Sequence, residues 1–158
     1  MRVGITGHRG LPPEVEQEVR RALVEAVKAY DPAELVGLSC IADGPDTWFA
    51  QAVLDHGGQI EVVLPAEQYR ADLPDWHHPT YDELLRRAAA VHRTGLDGSD
   101  SQAHMAGSEL LVDQADELLA VWDGQPARGY GGTADVVVYA EGRRVPLRVL
   151  WPEGATRD

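Results

Sequence analysis

The chain is short of cysteine, of positive charge and of long apolar runs, and each shortage excludes something. One cysteine among 158 residues cannot build an internal disulfide framework and fits a reducing compartment. That residue, Cys40, ends the apolar run "ELVGLSC", where a free thiol is more often a packing group than a nucleophile. The amino-terminal stretch "MRVGITGHRG" holds no long apolar segment, and no run reaches membrane-spanning length, so the expected location is the cytoplasm, with no membrane partner. Lys and Arg number 14 against 26 Asp and Glu, a formal charge of −12 spread along the chain. Nucleic-acid affinity rests mainly on neutralising phosphates, so general DNA or RNA binding is not expected, although a local basic pocket remains compatible. No Lys-Ser/Thr follows the glycines of "GYGGT", which excludes a Walker loop and leaves magnesium-dependent NTP hydrolysis without support. Internal repeats and low-complexity tracts are lacking as well.

The 44% hydrophobic share is that of an ordinary globular protein, and the length suits a single domain spanning residues 1–158. Short Val/Ile/Leu-rich runs recur as "RVGIT", "ELVGLSC", "QIEVVLP", "ELLAVW" and "PLRVLW". They are of strand length and almost continuously apolar, the pattern of strands covered on both faces. Between them lie helical spacings. From Pro13 to Tyr30 one stripe carries Val15, Val19, Leu23, Ala26, Val27 and Tyr30, after a proline pair suited to a first turn. Further helices are predicted from Asp46 to a stop at Gly57-Gly58, over Tyr81–Ala90, over Met105–Glu117 and over Thr133–Glu141. "DLPDWHHPTYDE" and "RTGLDGSDSQAH" read as loops. Alternating strands and helices predict an α/β fold, a Rossmann-like three-layer αβα sandwich with a mainly parallel sheet.

In such a sheet, ligands sit beyond the carboxyl ends of the strands, near a switch in strand order. Three loops should open there: "TGHRG", "SCIADGPD" and "DGQPARGYGGTAD". In the first, Gly7 would let the backbone approach a ligand, and Arg9 could grip a phosphate with its forked donors; His8 lies between them. The alternative pairs Arg9 with Glu14 or Glu16 and leaves His8 to fill a turn. In the second, Ala42, Asp43, Gly44 and Asp46 are candidates, Asp46 also being placed as an N-cap and Asp43 either meeting a ribose or base or closing an Asx turn. In the third, Asp123, Gly124, Gly129, Gly131, Gly132 and Thr133 offer amides and a hydroxyl near a helix start, the arrangement that cradles phosphate. Asp135, in that first turn, would meet a ribose or stabilise the helix terminus. Trp122 could flank a base. His77-His78 with Asp75 lacks the helical spacing of a metal-ligand pair and reads as solvated loop, so no metal site is assigned. His92 and His104 have no partner in the sequence.

At these residues the chain resembles the SLOG superfamily, the Rossmann-like group that joins the Smf/DprA DNA-processing proteins with the LOG phosphoribohydrolases. "ITGHR" resembles its opening strand and loop. "SCIADGPDTWFAQAVLDHGGQIEVVLP" resembles the Smf/DprA segment Ser-Gly-x-Ala-x-Gly-x-Asp, matched at Ser39, Ala42, Gly44 and Asp46. "ADELLAVWDGQPARGYGGTADVVVYA" resembles the strand and Gly-Gly-Thr helix start of the nucleotide-binding members. The resemblance implies a small-molecule nucleotide or nucleotide-derived ligand in a glycine-lined groove, no further certain cofactor, and a homodimer. It also brings a possible LOG-like hydrolase into view, with Asp135 or Asp43 as catalytic carboxylates. Against the LOG motif Pro-Gly-Gly-x-Gly-Thr-x-x-Glu, the Pro-Gly-Gly start is changed and Val136 stands where the Glu should be. Asp135 comes one residue early, about 100° around a helix. A sensor or accessory binding module is the first reading, the hydrolase the second, and a self-associating domain with a vestigial groove the third.

Overall fold

The computed structural model describes residues 1–157. Their elements run β1 (Arg2–Gly7), α1 (Pro13–Val27), β2 (Val36–Ser39), α2 (Pro45–His56), β3 (Gln59–Leu64), α3 (Tyr69–Asp72), a 3-10 turn (Asp75–His77), α4 (His78–Arg87), β4 (Ala90–Arg93), α5 (Ser101–Gln114), β5 (Glu117–Val121), α6 (Thr133–Gly142) and β6 (Leu147–Val149). The strands form one sheet in the order β4-β3-β2-β1-β5-β6, and every neighbouring pair is parallel. Parallel neighbours need crossovers, and right-handed ones put α1, α2 and α4 on one face and α5 and α6 on the other. The packing agrees: α1 meets α2, α2 meets α4, and α5 meets α6. The result is the Rossmann-like α/β sandwich that the alternation predicts.

The core follows from the two periodicities. Strand residues Val3, Leu38, Ile60, Val62, Leu118 and Leu119 are sealed on both sides, and α1 turns Val15, Val19, Leu23, Ala26 and Val27 inward. Each such Val or Leu side chain stabilises the fold by roughly 1.5–3 kcal/mol. Tyr30 lies past the end of α1 and donates its hydroxyl to Glu117 at 2.5 Å. Cys40 packs in the core, where burial, with Asp46 adding, pushes its thiol well up. No helix among the described residues is long and apolar enough to cross a membrane.

Three local readings need correction. β4, "AVHR", is a short edge strand, half exposed and part charged, so it has no apolar signature. "DLPDWHHPTYDE" is not an open loop: it holds the 3-10 turn and the start of α4, where Pro79 occupies the first turn. α5 starts at Ser101 instead of Met105, because Asp100 caps it by accepting from the Ala103 amide at 2.8 Å.

The chain steps outward from β1 to β4 and then returns to lay β5 against the other side of β1. The strand order therefore reverses between β1 and β5, whose carboxyl ends meet where Gly7 pairs with Val121. One residue on, the His8 amide donates to the Val121 carbonyl at 3.1 Å.

Candidate functional site

A cleft of 360 Å³ opens at this reversal, the place where an open α/β sheet offers strand ends, loops and helix starts to a ligand. Gly7, His8 and Arg9 line it from β1, Ala42 and Asp46 from the loop after β2, and Gly129, Gly131, Gly132 and Thr133 from the loop after β5. The three predicted loops do converge.

The glycine-rich turn ends on a helix start that no side chain caps, with Gly132 at the N-cap of α6. The amides of Thr133 and Ala134, and the Thr133 hydroxyl, have no hydrogen-bond partner among the described residues, although Thr133 is buried. No fully buried side-chain oxygen there lacks a partner, so this hydroxyl reaches the cleft. Free first-turn amides with the positive end of the helix behind them are ready to hold an anion. The turn is kept in shape by Asp135, whose Oδ2 accepts from the Gly131 amide at 2.9 Å. That fixes Asp135 as a brace outside the cleft lining. Gly131 itself is required twice: its φ is +86°, and a Cβ there would sit 2.9 Å from the Ser101 carbonyl oxygen.

The β1 loop brings charge. Arg9 donates from Nε and Nη2 to Oδ1 of Asp43 at 3.0 and 2.6 Å, so its partner is neither Glu14 nor Glu16. Burial works against its charge, but these bonds and the nearby carboxylates hold its pKa above the ordinary value. Gly7 serves packing more than ligand approach, since a Cβ would lie 2.9 Å from both Pro45 and Val121. His8 is a structural hub. Its Nδ1 meets the Arg157 guanidinium at 2.8 Å, and its Nε2 accepts from the Asp123 amide at 3.1 Å with the Asp123 carboxylate 3.2 Å away. Burial first, then the Arg157 charge, lowers the His8 pKa and favours the neutral ring.

The loop after β2 is tightly bonded. Ser39 Oγ accepts from the Ile41 amide and donates to the Asp46 carbonyl, both at 2.9 Å, and Thr47 Oγ1 donates to the Ala42 carbonyl at 2.6 Å. Ile41 sits at φ +49°, a strained position for a β-branched residue, and His77 donates to its carbonyl at 2.9 Å. Gly44, not Asp46, is the N-cap of α2. Asp46 instead accepts from the Ala42 amide at 3.4 Å and shows its remaining surface to the cleft. Burial raises its pKa to about 7 against the opposing pull of the Ala42 amide and Arg9. Asp43 and Gly44 lie on the far side of Arg9 and line a neighbouring groove.

Asp123 braces His8 and Arg157 behind the cleft, and Gly124 lies outside its lining. Trp122 donates to the Gln125 carbonyl at 2.9 Å. His77 is 2% exposed, not solvated, and His78 donates to the Arg70 carbonyl at 2.7 Å. His92 meets Glu61 at 2.7 Å, and His104 meets Ser99 at 2.9 Å. Among the described residues, no three His, Cys, Asp or Glu are grouped to hold a metal ion. The sequence reading missed several lining residues: Tyr69, His104, Tyr130 and above all Arg157, whose side chain is 10% exposed. Only Tyr130 carried a signal, its place inside the glycine-rich turn.

No family model matches the chain, and no curated protein matches it significantly. Solved structures do. DNA processing protein A from Helicobacter pylori, described for its single-stranded DNA binding mode, superposes with a TM-score of 0.70 at 18% identity, covering 100% of this chain and 68% of that one. DprA from Streptococcus pneumoniae gives 0.69 at 15%, covering 97% of this chain and 51% of that one. The molybdenum cofactor binding protein from Rippkaea orientalis gives 0.61 at 17%, covering 94% and 74%. At these identities the likeness establishes the fold, and that fold is the one the SLOG resemblance implies.

Proposed function

We propose that the chain binds a nucleotide or nucleotide-derived ligand in the cleft, as a sensor or accessory module. The observation that carries this reading is the uncapped start of α6: two free amides and a free hydroxyl at the strand-order reversal, in the cleft that Arg9 also lines. Phosphate belongs on the Thr133 and Ala134 amides, where the helix dipole and the hydroxyl converge. Arg9 swings from Asp43 or shares its second Nη with the ligand, while Tyr130, exposed at the tip of the turn, is placed to cover a base. That related folds are described as binding single-stranded DNA or molybdenum cofactor supports a phosphate-bearing ligand in general. The charge of −12 favours a small molecule over a polynucleotide. The cytoplasm and a homodimer complete the reading, and sizing the protein by light scattering tests the second.

A phosphoribohydrolase is the second reading, and one observation moves its chemistry. Asp135 braces the turn and Asp43 faces another groove, whereas Asp46 lines the cleft with a pKa near 7, suited to exchanging a proton with a leaving base. The test is ligand-observed proton NMR with nucleoside monophosphates, ADP-ribose and a short single-stranded oligonucleotide. Saturable broadening by a mononucleotide, weakened about fivefold in Thr133→Val, supports binding. Disappearance of the anomeric signal with release of free base, abolished in Asp46→Asn, makes the protein a hydrolase. Broadening by the oligonucleotide alone overturns the small-molecule assignment.

A further inference from the structure

A second cavity, also of 360 Å³, lies beside α1 and the start of α2, with the 3-10 turn contributing to its wall. The Arg9–Asp43 ion pair separates it from the cleft: Arg9 lines one and Asp43 the other. Two indoles face this groove. Trp48 is buried, with the Arg20 guanidinium 4.7 Å from its ring centroid and tied to Glu16 at 3.0 Å, so the groove's own cation is already engaged. Trp76 is 73% exposed, the most exposed of the large hydrophobic side chains, and gives the core almost nothing. Its ring lies edge-on to His77, centroids 5.8 Å apart.

The same groove holds an unused acceptor. Arg9 places both of its hydrogen bonds on Oδ1 of Asp43, and Oδ2 has no partner among the described residues, although Asp43 is only 9% exposed. Fully buried side-chain oxygens without partners do not occur there, so Oδ2 is open to the groove. A carboxylate oxygen accepts and never donates at neutral pH, and indole faces attract flat rings. Glu16 and Asp43 together repel a phosphate.

We infer that this groove is a second ligand site, which takes an uncharged planar nitrogen heterocycle bearing an N–H donor, such as the base of a nucleoside. The ring stacks on Trp76 and its donor reaches Asp43 Oδ2. The preference is opposite to that of the cleft, and the inference does not depend on what the cleft binds.

Adenosine and purine riboside, which differ by the 6-amino group alone, test both contacts when titrated into the full chain by saturation-transfer NMR, with AMP as the probe of the cleft. Adenosine binds the wild type and purine riboside binds several-fold more weakly, as expected for a lost hydrogen bond. Trp76→Ala weakens adenosine about tenfold, the usual effect of removing one stacking partner. The same substitution leaves AMP within about twofold, as separate sites should behave. Because Trp76 is exposed, its truncation leaves the fold intact. Adenosine binding that is absent, unchanged in Trp76→Ala, indifferent to the amino group, or lost instead in Thr133→Val overturns the inference. Trp76-dependent adenosine binding without any AMP binding sustains it and counts only against the cleft.

Discussion

The loops after β2 and after β5 are both parallel-strand exits leading into a glycine-capped helix, yet they are finished in opposite ways. At the start of α2, Ser39, Thr47, Asp46 and His77 take up the loop's amides and carbonyls, and Ile41 is held at φ +49° within that net. At the start of α6 the turn itself is braced through Asp135, and the Thr133 and Ala134 amides are left open among the described residues. Strain that is over-determined by bonds is a property of rigidity, whereas free donors at a helix start cost stability that a bound anion returns. One loop is a support and the other a receptor.

The comparison breaks most visibly at His77. Replacing it with Ala removes a buried ring and orphans the Ile41 carbonyl, and should lower unfolding free energy by about 3 kcal/mol in urea titrations. Next comes Asp46. Its folded pKa, near 7, lies above its unfolded value, so the native state retains a proton that the unfolded chain releases, and stability falls as pH rises from about 4 to about 7. Denaturation midpoints measured from pH 5 to pH 8 should show a loss of roughly 2 kcal/mol that Asp46→Asn abolishes. Gly131→Ala tests the receptor side: positive φ and the Ser101 carbonyl together should cost about 1–2 kcal/mol and remove AMP binding in the same titration. Smallest of all, Thr133→Val keeps the shape of the side chain and loses one hydroxyl. It should weaken AMP by about 1 kcal/mol, or some fivefold, with almost no change in Tm. If Thr133→Val destabilised the protein as much as His77→Ala, the distinction between support and receptor would collapse.

What was legible in the sequence follows from how each feature is encoded. β1, β2, β3 and β5 announced themselves because burial on both faces makes them nearly continuous apolar runs, and β6 by its apolar flanks in "PLRVLW", while β4 did not, since an edge position lets His92 and Arg93 stand where Val or Ile otherwise would. Convergence of the three loops was readable from the strand–helix alternation, because a parallel sheet puts every strand exit on one edge. The division of labour within them was not: Asp46 read as cap or ligand contact and Asp43 as ligand contact or Asx turn, and only the fold shows Gly44 as the cap and Asp43 bonded to Arg9. Arg157 could not have been found at all. It reaches the cleft because Trp151 packs edge-on to His8, centroids 5.7 Å apart, and a contact across that many residues leaves no local pattern.

The brevity of the outermost strands has a practical side. β4 offers four residues and β6 three, with Arg93 on one margin and Arg148 on the other. Open margins invite strand addition by neighbouring molecules, and short, charged ones give a growing fibril little to copy. The protein should therefore stay dispersed at the high concentrations that weak-binding titrations require.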